Sequence, residues 1–122
     1  MGYGQVNVGG SVKGDLEFTS AVLQNSKGGY NITTDRDYDV IIISNASSND
    51  RSKGSGGSAT ISGYTALESQ SNGNYGYNSQ LGHDNDQVGT LTVFTNVKAG
   101  AQISVSGSGG FFTSICVGLY RA

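Results

Sequence analysis

The chain reads as an all-β protein, an antiparallel β-sandwich, on three observations. Val, Ile, Thr, Tyr and Phe far outnumber Ala, Leu, Met, Glu and Lys, and β-branched and aromatic side chains suit a pleated surface. Apolar residues recur at period two in short runs, the spacing of a half-buried strand. Between these runs lie stretches rich in Gly, Ser and Asn, which supply turns and disfavour helix. No segment carries a helical period. With 122 residues the chain is one domain's worth, read as a single sandwich over 1–122 with an extended N-terminal segment at 1–12.

The elements follow in order. "QVNVGGSV" alternates with Val6 and Val8 on one face, and "LEFTSAVL" puts Leu16, Phe18 and Val22 on one face. After "NSKGG", a turn, "YNITT" resumes the alternation with Tyr30 and Ile32. Val40 to Ile43 is an unbroken apolar run, too short for a helix, and its β-branching suits a central strand covered on both faces. From Asn45 to Ser58, "NASSNDRSKGSGGS" has the composition of a loop or flexible turn. "ATISGY" places Ala59 and Ile61 together. In "VGTLTVFTNV", the clearest strand, Leu91, Val93, Thr95 and Val97 are expected to face one way and Thr92, Phe94 and Asn96 the other. "KAG" turns into a strand holding Ile103 and Val105, and "GSGG" turns into the last one, "FFTSICVGLYRA". Seven to nine short strands at this spacing suit a sandwich or closed barrel. A jelly roll is preferred because it accommodates a long central loop.

Charge and composition exclude several classes. The formal net charge is -2 and 13% of residues are charged, so the clustered Lys/Arg excess that neutralises phosphates is missing and no nucleic acid is expected. No apolar run approaches the length of a membrane-spanning helix, so no membrane insertion is expected. "MGYGQVNVGG" lacks the basic and apolar regions of a secretory leader. One cysteine, Cys116, rules out an internal disulfide. These features lead to the expectation of synthesis in a reducing cytoplasm.

No catalytic constellation emerges, and the protein is expected not to be an enzyme. Cys116 and His83 are the only thiol and imidazole, and Cys116 lies in an apolar strand, where a free cysteine behaves as a small buried hydrophobe. "KGSGGS" has its lysine ahead of the glycines, the reverse of a phosphate loop. "DRDYD" sets Asp35, Asp37 and Asp39 at alternate positions, but Val40 and Ala46 occupy the glycine and glutamate places of a calcium loop.

The segment richest in chemistry is "SNGNYGYNSQLGHDNDQ", Ser71 to Gln87. Its first reading is a solvated loop or hairpin with Asn72-Gly73 as a tight-turn signal. Its second is a ligand-contacting loop, in which Tyr75, Tyr77, Asn78, His83, Asp84 and Asp86 combine aromatic faces, amides and carboxylates suited to carbohydrate or polar protein surfaces. Contiguous donors rarely converge on one ion, so no metal site and no cofactor are assigned.

"NVKAGAQISVSGSGGFFTSICVGLYRA" resembles the ending of the trimeric jelly-roll heads of the complement and tumour necrosis factor type: a tight turn, a penultimate strand, and a last strand closing in "VGLY". Gly100 is followed by Ala101 where those heads carry an acid. "DYDVIIISNASS" and "TVFTNVKAGAQISVS" are similar to bacteriophage tail, baseplate and appendage proteins, which are rich in Gly, Ser, Asn and Thr. The resemblance implies a non-enzymatic structural or attachment protein of a phage virion, a homo-oligomer with a trimer favoured. It would contact a host cell-surface glycan or protein through loops 45–58 and 71–87. The alternatives are a lectin-like carbohydrate-binding module, cation-dependent or not, and a purely architectural capsid or tail subunit.

Overall fold

A computed structural model describes residues 17–107 and 110–121. These residues form eight strands and no helix: β1 (Phe18–Lys27), β2 (Tyr30–Thr33), β3 (Tyr38–Asp50), β4 (Ser58–Ile61), β5 (Glu68–Asn78), β6 (His83–Val97), β7 (Gln102–Ser106) and β8 (Phe111–Arg121). The expected strand around Val6 and Val8, the 1–12 segment and Leu16 lie outside the described residues. A five-stranded sheet has the order β1-β8-β3-β6-β5 and a three-stranded sheet the order β2-β7-β4. Every pairing is antiparallel.

The two sheets share one core, a sandwich-like arrangement. From the larger sheet it takes Tyr38, Ile41, Ile43, Phe94, Val97, Phe112 and Cys116, and from the smaller one Ile61, Ile103 and Val105. Tyr30, Ile32 and Ala59 pack against it half-buried, as the alternation of β2 and β4 requires. Its rim is tied by polar contacts. Tyr38 donates its hydroxyl to Asp35 at 2.6 Å, meets Tyr120 edge-on at 5.8 Å, and Arg36 lies 4.4 Å over the Tyr120 ring.

The alternation in β6 does not run to its end. Thr92 and Phe94 point into the core, yet Val97, three residues on, is also buried. Asn96 between them has a φ of 55°, a left-handed conformation that asparagine tolerates better than most residues. Across the ladder Tyr38 and Ile41 both turn inward in the same way. Leu91, Val93, Thr95 and Val97 therefore do not share a face: the first three lie on the outer side of the sheet.

Two further expectations are corrected. Residues 45–50 are not loop but the second half of β3, paired with β6 from Asn45↔Thr90 to Asp50↔Asn85 and with β8 from Asn45↔Ser114 to Ser48↔Phe111. Neighbours on both sides supply the ladder that their Asn/Ser composition does not advertise. Only 51–57 loops out, and it folds back over the core side instead of projecting. The backbone N–H of Gly54 donates to Asp86, and a methyl group on Gly54, Gly56 or Gly57 would collide with Asn49, with Val88 and Thr90, or with Ser106 and Phe112 respectively. β3 is also covered on one face only: Ile41 and Ile43 are fully buried, while Val40 and Ile42 are partly exposed on the other.

The three alternate aspartates each serve a separate partner. Asp35 pairs with Arg36 at 3.1 Å, Asp37 with Lys98 at 3.6 Å and Asp39 with Arg121 at 3.4 Å. Asp37 also accepts the Ala99 N–H, and Asp39 that of Arg121. They fasten the "KAG" turn and the end of β8, and among the described residues no group of acids, His or Cys is arranged to hold a metal ion.

Candidate functional site

The candidate residues fall on one β-hairpin. β5 and β6 pair over eleven consecutive positions, from Glu68↔Val93 to Asn78↔His83. Asn72-Gly73 is not a turn but the middle of β5, facing Gly89 and Val88. The reversal sits at 79–82, set by Asn78. Its carbonyl accepts the Gly82 N–H at 2.8 Å, and its side-chain oxygen accepts the N–H groups of Gln80 and Leu81 at 2.9 and 3.1 Å, an Asx-type cap.

Register fixes which side chains meet. Tyr75 stands opposite Asp86 and Tyr77 opposite Asp84, and residues directly opposed on an antiparallel pair share a face. Asp86 is in turn opposite Asn49 on the inward side of β3. Both tyrosines therefore lie on the core side of the sheet, but beyond the three strands of the smaller sheet. They stay open to differing degrees: Tyr77 is 70% exposed and Tyr75 38%. Lys53 from the tucked loop lies 5.6 Å over the Tyr75 ring.

The other four separate by role. Asp86 is 4% exposed and holds loop 51–57 through Gly54. Asp84 is exposed, and its carbonyl receives the N–H of Arg51 at 2.9 Å. His83 Nδ1 lies 2.8 Å from the same carbonyl, an oxygen that only accepts, so Nδ1 carries the hydrogen. Asn78 is occupied by the turn. The hairpin thus brings Tyr75, Tyr77 and Asp84 to one open shelf and commits Asn78 and Asp86 to structure.

The neighbouring Asn85 has a structural role that its sequence context does not announce. It is buried, and its amide donates to Ser48 Oγ at 3.0 Å, the Asn49 carbonyl at 3.2 Å and Asp50 Oδ1 at 3.1 Å, locking the far end of β6 to β3. Its role comes from its pairing with Asp50 of β3, which local composition does not show.

The other conspicuous surface is the outer face of the large sheet. Three ladder rows cross it: Val22–Val117–Ile42–Val93, Ser20–Leu119–Val40–Thr95 and Asn25–Ile115–Ser44–Leu91. Val22 is 67% exposed, Ile115 46% and Leu91 43%. The paired apolar residues expected at Phe18 and Val22 do share a face, and it is this open one. Charged side chains in β1 and β8 occur only at the strand ends, Lys27 and Arg121.

The described residues thus form an all-β scaffold with a long hairpin and an apolar outer sheet face. Compared with family models, curated proteins and solved structures, the chain matches none.

Proposed function

We propose that this chain is a non-enzymatic structural or attachment protein of a phage virion that works as a homo-oligomer, with a trimer the expected stoichiometry. The observation that carries the reading is the outer face of the large sheet. An unbroken apolar strand such as Val40 to Ile43 is the pattern of a strand buried on both sides, and the fold covers one. The three rows span four strands at about 4.8 Å spacing and roughly 14 Å along the strands, a footprint of about 400 Å² once side-chain radii are included, with its apolar residues at the centre. A stable interface buries about 800 Å² per partner, an apolar centre within a polar rim. Ser20, Asn25, Ser44, Gln70 and Thr95 lie around the centre and supply that rim. A second copy suits this face because β1 and β8 carry no charge between their ends.

The strand order supports the jelly-roll reading. An eight-stranded double Greek key has sheets ordered 1-8-3-6 and 2-7-4-5; here β1-β8-β3-β6 and β2-β7-β4 keep those neighbours. β5 departs from the scheme by lying on β6, where the tight 79–82 turn holds it, instead of on the four-residue β4.

Light scattering during size exclusion tests the assembly. A trimer mass that resists dilution is expected, with Ile115→Lys abolishing the trimer; a wild-type monomer at micromolar concentration overturns the reading. A second reading, a carbohydrate-binding module, is favoured by the uncovered Tyr75, Tyr77 and Asp84 shelf, since exposed rings stack on sugars and the carboxylate accepts hydroxyl hydrogens. It predicts glycan binding that Tyr77→Ala abolishes, measured with and without calcium, and silence across a broad glycan panel sinks it. In either reading the partner is a host cell-surface glycan or protein.

A further inference from the structure

We propose that the free edge of β5 is a strand-addition site occupied by β5 of a second copy of this chain, a contact separate from the sheet face above. The two outer strands of the large sheet are built differently. β1 is blunted as an edge strand commonly is: its register shifts at a bulge between Val22 and Gln24, and it ends in Lys27. β5 has no bulge and carries its one charge at its first residue. Its eleven pairs with β6 run without a shift, it contains no proline, and after Glu68 ten residues pass without a charge. Ten of its eleven residues are exposed, because it has only one strand neighbour and the smaller sheet does not reach it. A long, unbulged strand with no charge after its first residue, whose outer row of N–H and C=O groups no other described strand pairs, is a template for another strand.

Self-pairing is what this sequence fits. An antiparallel, two-fold pairing with full overlap of 68–78 is centred on Gly73. It opposes Asn72 with Asn74, Ser71 with Tyr75, Gln70 with Gly76, Ser69 with Tyr77 and Glu68 with Asn78. Each tyrosine meets a serine, no two charges meet, and the glycine lies at the axis. An oppositely charged partner strand would find nothing here to attract it. The result is one ten-stranded sheet continuous through two copies, an isologous contact.

Hydrogen exchange of the β5 amides, read across a concentration series together with light-scattering mass, tests this. Amides of β5 that point away from β6 are expected to gain protection as concentration rises. The double variant Asn72→Lys/Asn74→Lys puts lysines opposite each other in two symmetry-related pairs, and the dissociation constant is expected to rise about tenfold. Mixing it with Asn72→Glu/Asn74→Glu is expected to restore protection. Ile115→Lys, which charges the sheet face, is expected to leave that protection in place even where it lowers the mass. Concentration-independent exchange of the outward amides, or a lysine variant indistinguishable from wild type, overturns the edge contact. Loss of protection in Ile115→Lys overturns it as a separate contact.

Discussion

Replacing Gly57 by alanine tests whether segment 51–57 is seated in the molecule. Gly57 has a φ of 79°, and an added methyl group would run into the Ser106 carbonyl oxygen and come within 2.7 Å of Phe112 Cε1. Gly63 supplies the control. It has a φ of 85°, and a methyl group there meets nothing within 4 Å. An alanine held in the left-handed region costs about 1–2 kcal/mol, so Gly63→Ala loses that much. Gly57→Ala loses the same plus about 1–3 kcal/mol for overpacking against a backbone carbonyl and a buried ring. At roughly 3–5 °C per kcal/mol for a chain of this size, the two melting temperatures differ by about 3–15 °C. Circular dichroism melts at one protein concentration measure this, because association makes the midpoint concentration-dependent. Equal shifts in the two variants would show that 51–57 is a free loop after all.

The remaining predictions concern single groups. Burial, reinforced by the hydrogen bond to Asp35, pushes the Tyr38 hydroxyl up to about 12, and burial pushes the Cys116 thiol up to about 12 as well. Both groups titrate higher folded than unfolded. Their stabilisation is whole below their ordinary values of 10.0 and 9.0 and drains away as pH rises towards 12. Urea midpoints should fall from about pH 9 upward, and Tyr38→Phe should flatten the upper part of that fall; an unchanged slope contradicts the assignment. Cys116 should resist a chromogenic disulfide reagent at pH 8 in native buffer and react fully in denaturant, because the thiol is buried and protonated; rapid native labelling would refute this. Asn78→Ala removes the acceptor of two turn N–H groups and should cost about 1 kcal/mol, seen as faster exchange at Gln80 and Leu81.

The strands that bury one face were legible in the sequence, and those that bury none or bury polar groups were not. β7 could be read because Ile103 and Val105 point into the core and Gln102, Ser104 and Ser106 do not. β5 could not, since Ser, Asn, Gly and Tyr alternate with nothing when both faces are open. The second half of β3 was hidden for the opposite reason: Asn45, Ser47 and Asn49 occupy inward positions where a period-two search expects aliphatic residues. Asn72-Gly73 misled because a local turn preference yields to a ladder whose register is set six residues on, by Asn78. Of the site, the two exposed tyrosines and Asp84 were found by residue chemistry. The structural duty of Asp86 depends on a loop partner 32 positions away, a distance over which local spacing says nothing.

The inward side of β3 reads Ile41, Ile43, Asn45, Ser47, Asn49, so oil gives way to amides along a single strand. Asn45 and Ser47 side chains find no protein hydrogen-bond partner there, and burial of such groups stabilises little. Cooperative opening starts where burial stabilises least. The molecule therefore has an end held by packing, at Ile41, Ile43, Phe94 and Val97, and an end held by polar ties, at Asn85 and Asp86, and the hairpin grows from the second.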